Sequence, residues 1–172
     1  MATDGRGRSG EQPAPYDTQP LVDYAVEAEV TFEQRTEPSP AACDERDAPT
    51  FGLVSHGGAT SEPKPSGPDG GAYYATISII GDSCDPPAMA ELAAPLAFSG
   101  DAGYPTLATG PLAMEPGWHT YRLEIKGDGV RLLIDEELVL SATSSWYLDG
   151  GHVGLWSSRV RLTVRRFAVT AL

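Results

Sequence analysis

The chain is short of cations, of cysteine and of unbroken apolar stretches, and each shortage removes a class of function. Its 172 residues include 12 Lys or Arg against 24 Asp or Glu, a net charge of -12. A surface of that sign repels phosphate, so neither nucleic acid nor an anionic membrane is an expected partner. No apolar run approaches the ~18 residues that cross a bilayer, and direct membrane insertion is not expected. The opening "MATDGRGRSG" lacks the hydrophobic stretch of a signal peptide. The two cysteines form no C-x-x-C pair, which disfavours zinc and thioredoxin chemistry. The three histidines, His56, His119 and His152, lack metal-ligand spacing such as H-x-x-x-H. With no G-x-S-x-G elbow and no glycine-rich loop before a helix, serine-hydrolase and nucleotide-binding chemistry have no motif to stand on.

Turns are plentiful instead. The 19 glycines and 15 prolines argue for short strands joined by loops, because proline cannot donate to a strand ladder. Residues 1–20 read as a polar tail, and 21–172 as one domain large enough for a core. In "DYAVEAEVTF", residues 23–32, Tyr24, Val26, Ala28, Val30 and Phe32 alternate with polar or small neighbours, the period of a strand with one buried face. Further strands are expected over 50–57, 72–80, 106–114 and, less cleanly because of Pro95, 88–98. From Trp118 the beat is regular. Tyr121, Leu123 and Ile125 lead into "GDG" at 127–129, which turns a hairpin because glycine accepts positive φ. Val130, Leu132 and Ile134 then lead to three adjacent acids, Asp135, Glu136 and Glu137. In the last strand, Val160, Leu162 and Val164 alternate inward. The Arg165–Arg166 pair breaks the beat, and Phe167 and Val169 resume it one residue later, as a β-bulge would. About ten strands with no convincing helix imply an all-β, two-layer antiparallel sandwich.

Charge is uneven: residues 1–117 hold 5 basic and 18 acidic side chains, whereas 118–172 hold 7 and 6. Solubility accounts for the acidity, and attraction of a cation such as Ca2+ to one end of the fold is the sharper alternative. Glu27, Glu29 and Glu33 share a face of the first strand, expected to be outward and solvated. Adjacent strand residues point to opposite faces, so Asp135–Glu137 cannot converge on one substrate atom and are expected to turn the chain. Cys43 follows the first strand and Cys84 the third. In an up-down-up arrangement both loops lie at one end, so a Cys43–Cys84 disulfide is expected. It would close about 42 residues and contribute roughly 4 kcal/mol, and it implies an oxidising, extracytoplasmic compartment.

The run "W-H-T-Y-R-L-E-I-K-G-D-G-V-R-L-L-I-D", then "G-G-H-V-G-L-W-S-S" and a strand ending "F-A-V", resembles the concanavalin A-like lectin/glucanase jelly roll. Within it, the pattern is most similar to laminin G-like and 3-keto-disaccharide hydrolase-like domains. The earlier "FGLVSHGG" and "YYATISI" match as well, and the likeness covers about residues 21–172. It implies core positions for Trp118 and Trp156. Some glucanases of this fold carry their carboxylates as E-x-D-x-x-E, which "IDEELVL" does not reproduce.

Trp146 and Tyr147, in "SSWYLDGG", are expected in a loop where aromatic faces stack on sugar rings. Asp149, beside Gly150 and Gly151, is placed to complete a sugar hydrogen bond or hold Ca2+. With Tyr73, Tyr74 and His56 they form the expected ligand patch. The expected function is a noncatalytic, extracytoplasmic module binding carbohydrate or another cell-surface ligand. The alternatives are a glycoside-processing hydrolase, using Glu27, Glu29 or His56, and a structural or protein-interaction ectodomain of a membrane-anchored protein.

Overall fold

A computed structural model describes residues 23–34, 48–56, 72–80, 87–94, 106–113, 115–144 and 153–172. These form ten strands: β1 (Tyr24–Gln34), β2 (Thr50–His56), β3 (Ala72–Ile79), β4 (Ala88–Ala93), β5 (Thr106–Leu112), β6 (His119–Lys126), β7 (Gly129–Ile134), β8 (Glu137–Thr143), β9 (Val153–Ser158) and β10 (Val160–Ala171). No helix occurs among the described residues. The strands build two five-stranded antiparallel sheets, ordered β10-β1-β6-β7-β8 and β5-β4-β3-β2-β9. They pack as an all-β sandwich, as the alternation requires. No helix among the described residues is long and apolar enough to cross a membrane.

The period-two residues meet between the sheets. Val26, Ala28 and Val30 of β1 and Leu123 and Ile125 of β6 face Phe51 and Leu53 of β2, Ile77 of β3 and Leu92 of β4, all essentially buried. Each large side chain so buried contributes about 1.5–3 kcal/mol. Phe51 meets Tyr121 edge-on at a centroid distance of 5.1 Å, a geometry that adds to its area term. A cavity of about 10 Å³ remains beside Tyr121 and Gly52, and the Tyr121 hydroxyl has no partner among the described residues.

Several expectations hold at the residue level. The slip at Arg165–Arg166 is a bulge: Glu29 pairs with Arg166 and Val30 with Val164, leaving Arg165 unmatched. Asp135 and Glu136 form the β7–β8 turn, at φ 51° and 69°. The ambiguous 88–98 stretch is strand over Ala88–Ala93. Pro111 falls in β5, an edge strand, where a missing N–H can face solvent.

The two tryptophans expected in the core are not there. Trp118 precedes β6 and is 41% exposed, with the Arg165 guanidinium 4.8 Å over its ring. Trp156 is half-buried and pairs with Gly52. Its neighbour Leu155 packs against the core, so parity turns the indole to the outside of the sheet.

Candidate functional site

The connections differ sharply between the two sheets. β6–β7 and β7–β8 are tight hairpins within one sheet. Every longer connection starts or ends on β2, β3, β4, β5 or β9, the strands of the other sheet. Binding residues gather where loops are carried by a rigid scaffold, which directs attention to the outer face of β5-β4-β3-β2-β9.

Cross-strand register defines that face. Gly52 of β2 pairs with Trp156 of β9 and with Thr76 of β3. Thr76 pairs with Glu91 of β4, and Glu91 with Thr109 of β5. Their neighbours Phe51, Ala75, Ala90 and Leu92 are buried between the sheets, so the row Trp156–Gly52–Thr76–Glu91–Thr109 lies outside. With strands about 4.8 Å apart, this row spans roughly 19 Å. A parallel row runs Gly154–Val54–Tyr74–Ala93–Thr106.

Gly52 is what lets Trp156 lie down. A Cβ there would stand 2.8 Å from the indole Nε1 and 2.3 Å from the Ala75 carbonyl oxygen. The indole N–H is buried against the sheet without a partner among the described residues.

At the other end of the row, the Thr106 hydroxyl donates to Glu91 Oε1 at 2.5 Å. The Thr109 hydroxyl donates to the Ala90 carbonyl at 3.2 Å. Both hydroxyl hydrogens are therefore committed, and these oxygens offer only lone pairs outward.

The expected patch divides. Tyr73 is 1% exposed and belongs to the core. Its hydroxyl donates to the Ser144 carbonyl at 3.2 Å, and burial pushes its pKa up, so it is a packing and anchoring residue rather than a ligand contact. Tyr74 points outward on the second row and is half-buried. His56 closes β2, paired with Ala72. Trp146, Tyr147 and Asp149 lie outside the described residues, as do Cys43 and Cys84. Their connection leaves from Ser144, held by Tyr73, and returns at Val153, paired with Ser55. Both of its ends therefore reach the end of the sheet that carries Tyr74 and His56.

The opposite outer face is an ion-pair ladder. Arg122 donates to Glu27 at 3.0 Å and to Glu124 at 2.8 Å, and Arg166 approaches Glu27 at 3.5 Å. Arg165 grips Glu29 with two donors. That contact holds the Glu29 carboxyl below its usual range. Glu27 and Glu29 are thus outward, as expected, and each is engaged by arginine. Among the described residues, no group of three or more His, Cys, Asp or Glu is arranged to hold a metal ion.

Sequence reasoning missed Trp156 as an outer residue, and with it Thr76, Glu91, Thr106 and Thr109. Parity carried the signal for the first three: Leu155, Ile77 and Leu92 are apolar neighbours that turn inward. Nothing in the sequence gives the register that aligns these residues into one row.

No family model and no curated protein matches the chain in sequence. Solved structures do match it in shape. The carbohydrate binding module CBM66 from Bacillus subtilis superposes with a TM-score of 0.56 at 14% identity, covering 86% of this chain and 74% of its own. Ligand-free congerin I gives 0.55 at 10% identity, with 94% and 100% covered. Sheep galectin-11, solved with glycerol, gives 0.52 at 9% identity, with 89% and 93% covered. At such identities the likeness is one of fold: the chain has a concanavalin A-like jelly-roll fold.

Proposed function

We propose that this chain is a noncatalytic carbohydrate-binding module of an extracytoplasmic protein, and that the outer face of β5-β4-β3-β2-β9 is its glycan platform. The observation that carries the reading is the row Trp156–Gly52–Thr76–Glu91–Thr109. An aromatic plate at one end suits the apolar face of a sugar ring. Hydroxyls and a carboxylate along the row suit its hydroxyls. The fold likeness to a carbohydrate-binding module and to galectins supports the same reading. Trp146, Tyr147 and Asp149 belong in sequence to the β8–β9 connection, whose described ends meet the Tyr74 and His56 end of the sheet, and would add to the platform from there. Asp149 would contribute a sugar hydrogen bond or a Ca2+ ligand. The extracytoplasmic location rests on pairing of Cys43 with Cys84.

The test is glycan-array screening followed by titration calorimetry. Trp156→Ala is expected to weaken the best ligand by about tenfold or more, the loss of one aromatic stacking contact. Trp118→Ala, on the opposite sheet, should leave affinity unchanged, and bound oligosaccharides should be recovered uncleaved. Absence of any glycan binding at millimolar ligand sinks the reading. So does a loss of binding in Trp118→Ala but not in Trp156→Ala.

A further inference from the structure

We infer that the face selects sugars that present hydroxyl donors and carry no anionic group, so that sulfated and uronate chains are rejected. This rests on the glycan-platform reading and adds its specificity.

The first ground is the division of charge between the sheets. Every described Lys and Arg belongs to β6, β7, β10 or the β9–β10 corner. The five strands of the platform sheet hold none, and their single Asp, Glu, Lys or Arg is Glu91. Recognition of a sulfate or carboxylate depends on arginine or lysine donors. An anion docked here would meet a carboxylate instead, in a partly desolvated setting where like charges repel more strongly than in water.

The second ground is independent of net charge. The hydrogens of Thr106 and Thr109 are committed to Glu91 and to the Ala90 carbonyl. Glu91, an acceptor by nature, keeps its second oxygen without a partner among the described residues. The β4–β5 end of the row is thus lined by acceptors. Sulfate and carboxylate groups are acceptors too and find no donor there, whereas sugar hydroxyls supply one per contact. Thr106 is a positioning residue: its bond holds one oxygen of the Glu91 carboxylate and leaves the other for the ligand.

Calorimetry on the full chain tests this with length-matched neutral oligosaccharides, oligogalacturonate and sulfated galactan fragments, in about 50 mM and about 500 mM sodium chloride. Neutral ligands are expected to bind with affinities that change less than about twofold with salt, since no charge pair is screened. The anionic ligands should bind at least about tenfold more weakly. Glu91→Gln should weaken the neutral ligands and narrow the gap to oligogalacturonate. Thr109→Lys, an exposed position, should narrow it further by supplying a cation. An anionic ligand that binds within tenfold of the best neutral one, or binding that weakens tenfold with salt, overturns the inference. If that binding still depends on Trp156, the platform itself stands. Absence of binding by every sugar overturns both.

Discussion

At the residue scale the site depends on one missing side chain. Gly52 has an ordinary φ, so its role is space rather than backbone freedom. The Ala75 carbonyl and the Trp156 indole close over the place where a Cβ would sit. Gly52→Ala forces both of them to move. The indole can swing away, but that does not relieve the closer clash with the Ala75 carbonyl, so the β2–β3 ladder must shift as well. Overpacking of this kind costs about 1–3 kcal/mol. The expected outcome is a lower urea midpoint together with a changed tryptophan fluorescence spectrum, as the Trp156 ring leaves its bed. Equal stability with an unchanged spectrum would mean that the indole does not rest on this glycine. The Tyr73–Tyr74 pair makes the complementary point. Adjacent strand positions face opposite ways, so only one of two neighbouring tyrosines can reach a ligand, and burial of Tyr73 decides which.

At the scale of the element, the β7–β8 hairpin explains the three acids. Two consecutive residues at positive φ, Asp135 and Glu136, describe the two-residue turn that matches strand twist. Asp135 is more than a turn former. Its Oδ1 accepts the Thr120 N–H at 2.8 Å, and its Oδ2 lies 2.6 Å from His119 Nδ1. The other ring nitrogen, Nε2, meets the Glu115 carbonyl at 2.6 Å. An imidazole with an acceptor at each nitrogen is satisfied only when protonated, and the Asp135 hydrogen bond accordingly raises the His119 pKa above its ordinary 6.5. For Asp135, partial burial opposes ionisation, but the bonds from His119 and Thr120 outweigh it and hold the carboxyl below its ordinary 3.8. The signs follow. The histidine's contribution is complete below pH 6.5 and fades as pH rises through the raised value. The aspartate's is complete above its ordinary range and fades as pH falls. Asp135→Asn should therefore lower stability most between roughly pH 4 and 6.5, and the gap to the parent should shrink at alkaline pH. Half the Asp135 side chain is exposed, so solvent screening limits the effect to about 1 kcal/mol. Urea midpoints measured across pH would show it, and a gap constant with pH would mean that the pair does not titrate as described.

The strands show what the sequence exposes and what it hides. The bulge in β10 was legible because a one-residue slip in an apolar beat has few other causes, and Val164 and Phe167 on either side of Arg165 mark where it must fall, although on this edge strand they are exposed rather than buried as the alternation implied. The acids were legible as a turn for the same reason of parity. Trp156 was misplaced because the resemblance put it at a core position, and that outweighed the inward Leu155 beside it. Glu91 was obscured by the alanines and by Pro95, which blurred strand and helix over 88–98. Register is a different matter. That Gly52 stands between Trp156 and Thr76 is a relation among residues far apart in sequence, and no local pattern encodes it.

At the scale of the whole molecule, the two cysteines bear on where the chain works. The connection carrying Cys43 enters β2 through Pro49, whose carbonyl accepts the Ile79 N–H at 2.8 Å. The connection carrying Cys84 departs just after, and the Ile80 N–H bonds the Pro87 carbonyl at 2.8 Å. The described ends of both connections thus meet at one end of the platform sheet. At about 3.5 Å per residue, the few residues from each anchor to its cysteine are enough to bring the two sulfurs together. A bridge would tie the loop that enters the sheet to the loop between β3 and β4, and would close about 42 residues. Intact mass of unreduced protein isolated from an oxidising compartment is expected to fall short of the reduced mass by two hydrogens. Reduction should lower the unfolding free energy by up to about 4 kcal/mol. Cys43→Ser and Cys84→Ser should each reproduce that loss, and the double variant should add nothing, because either change removes the same cross-link. Two thiols open to alkylation in the unreduced protein would remove the bridge, and with it the chemical ground for placing this molecule outside the cytoplasm.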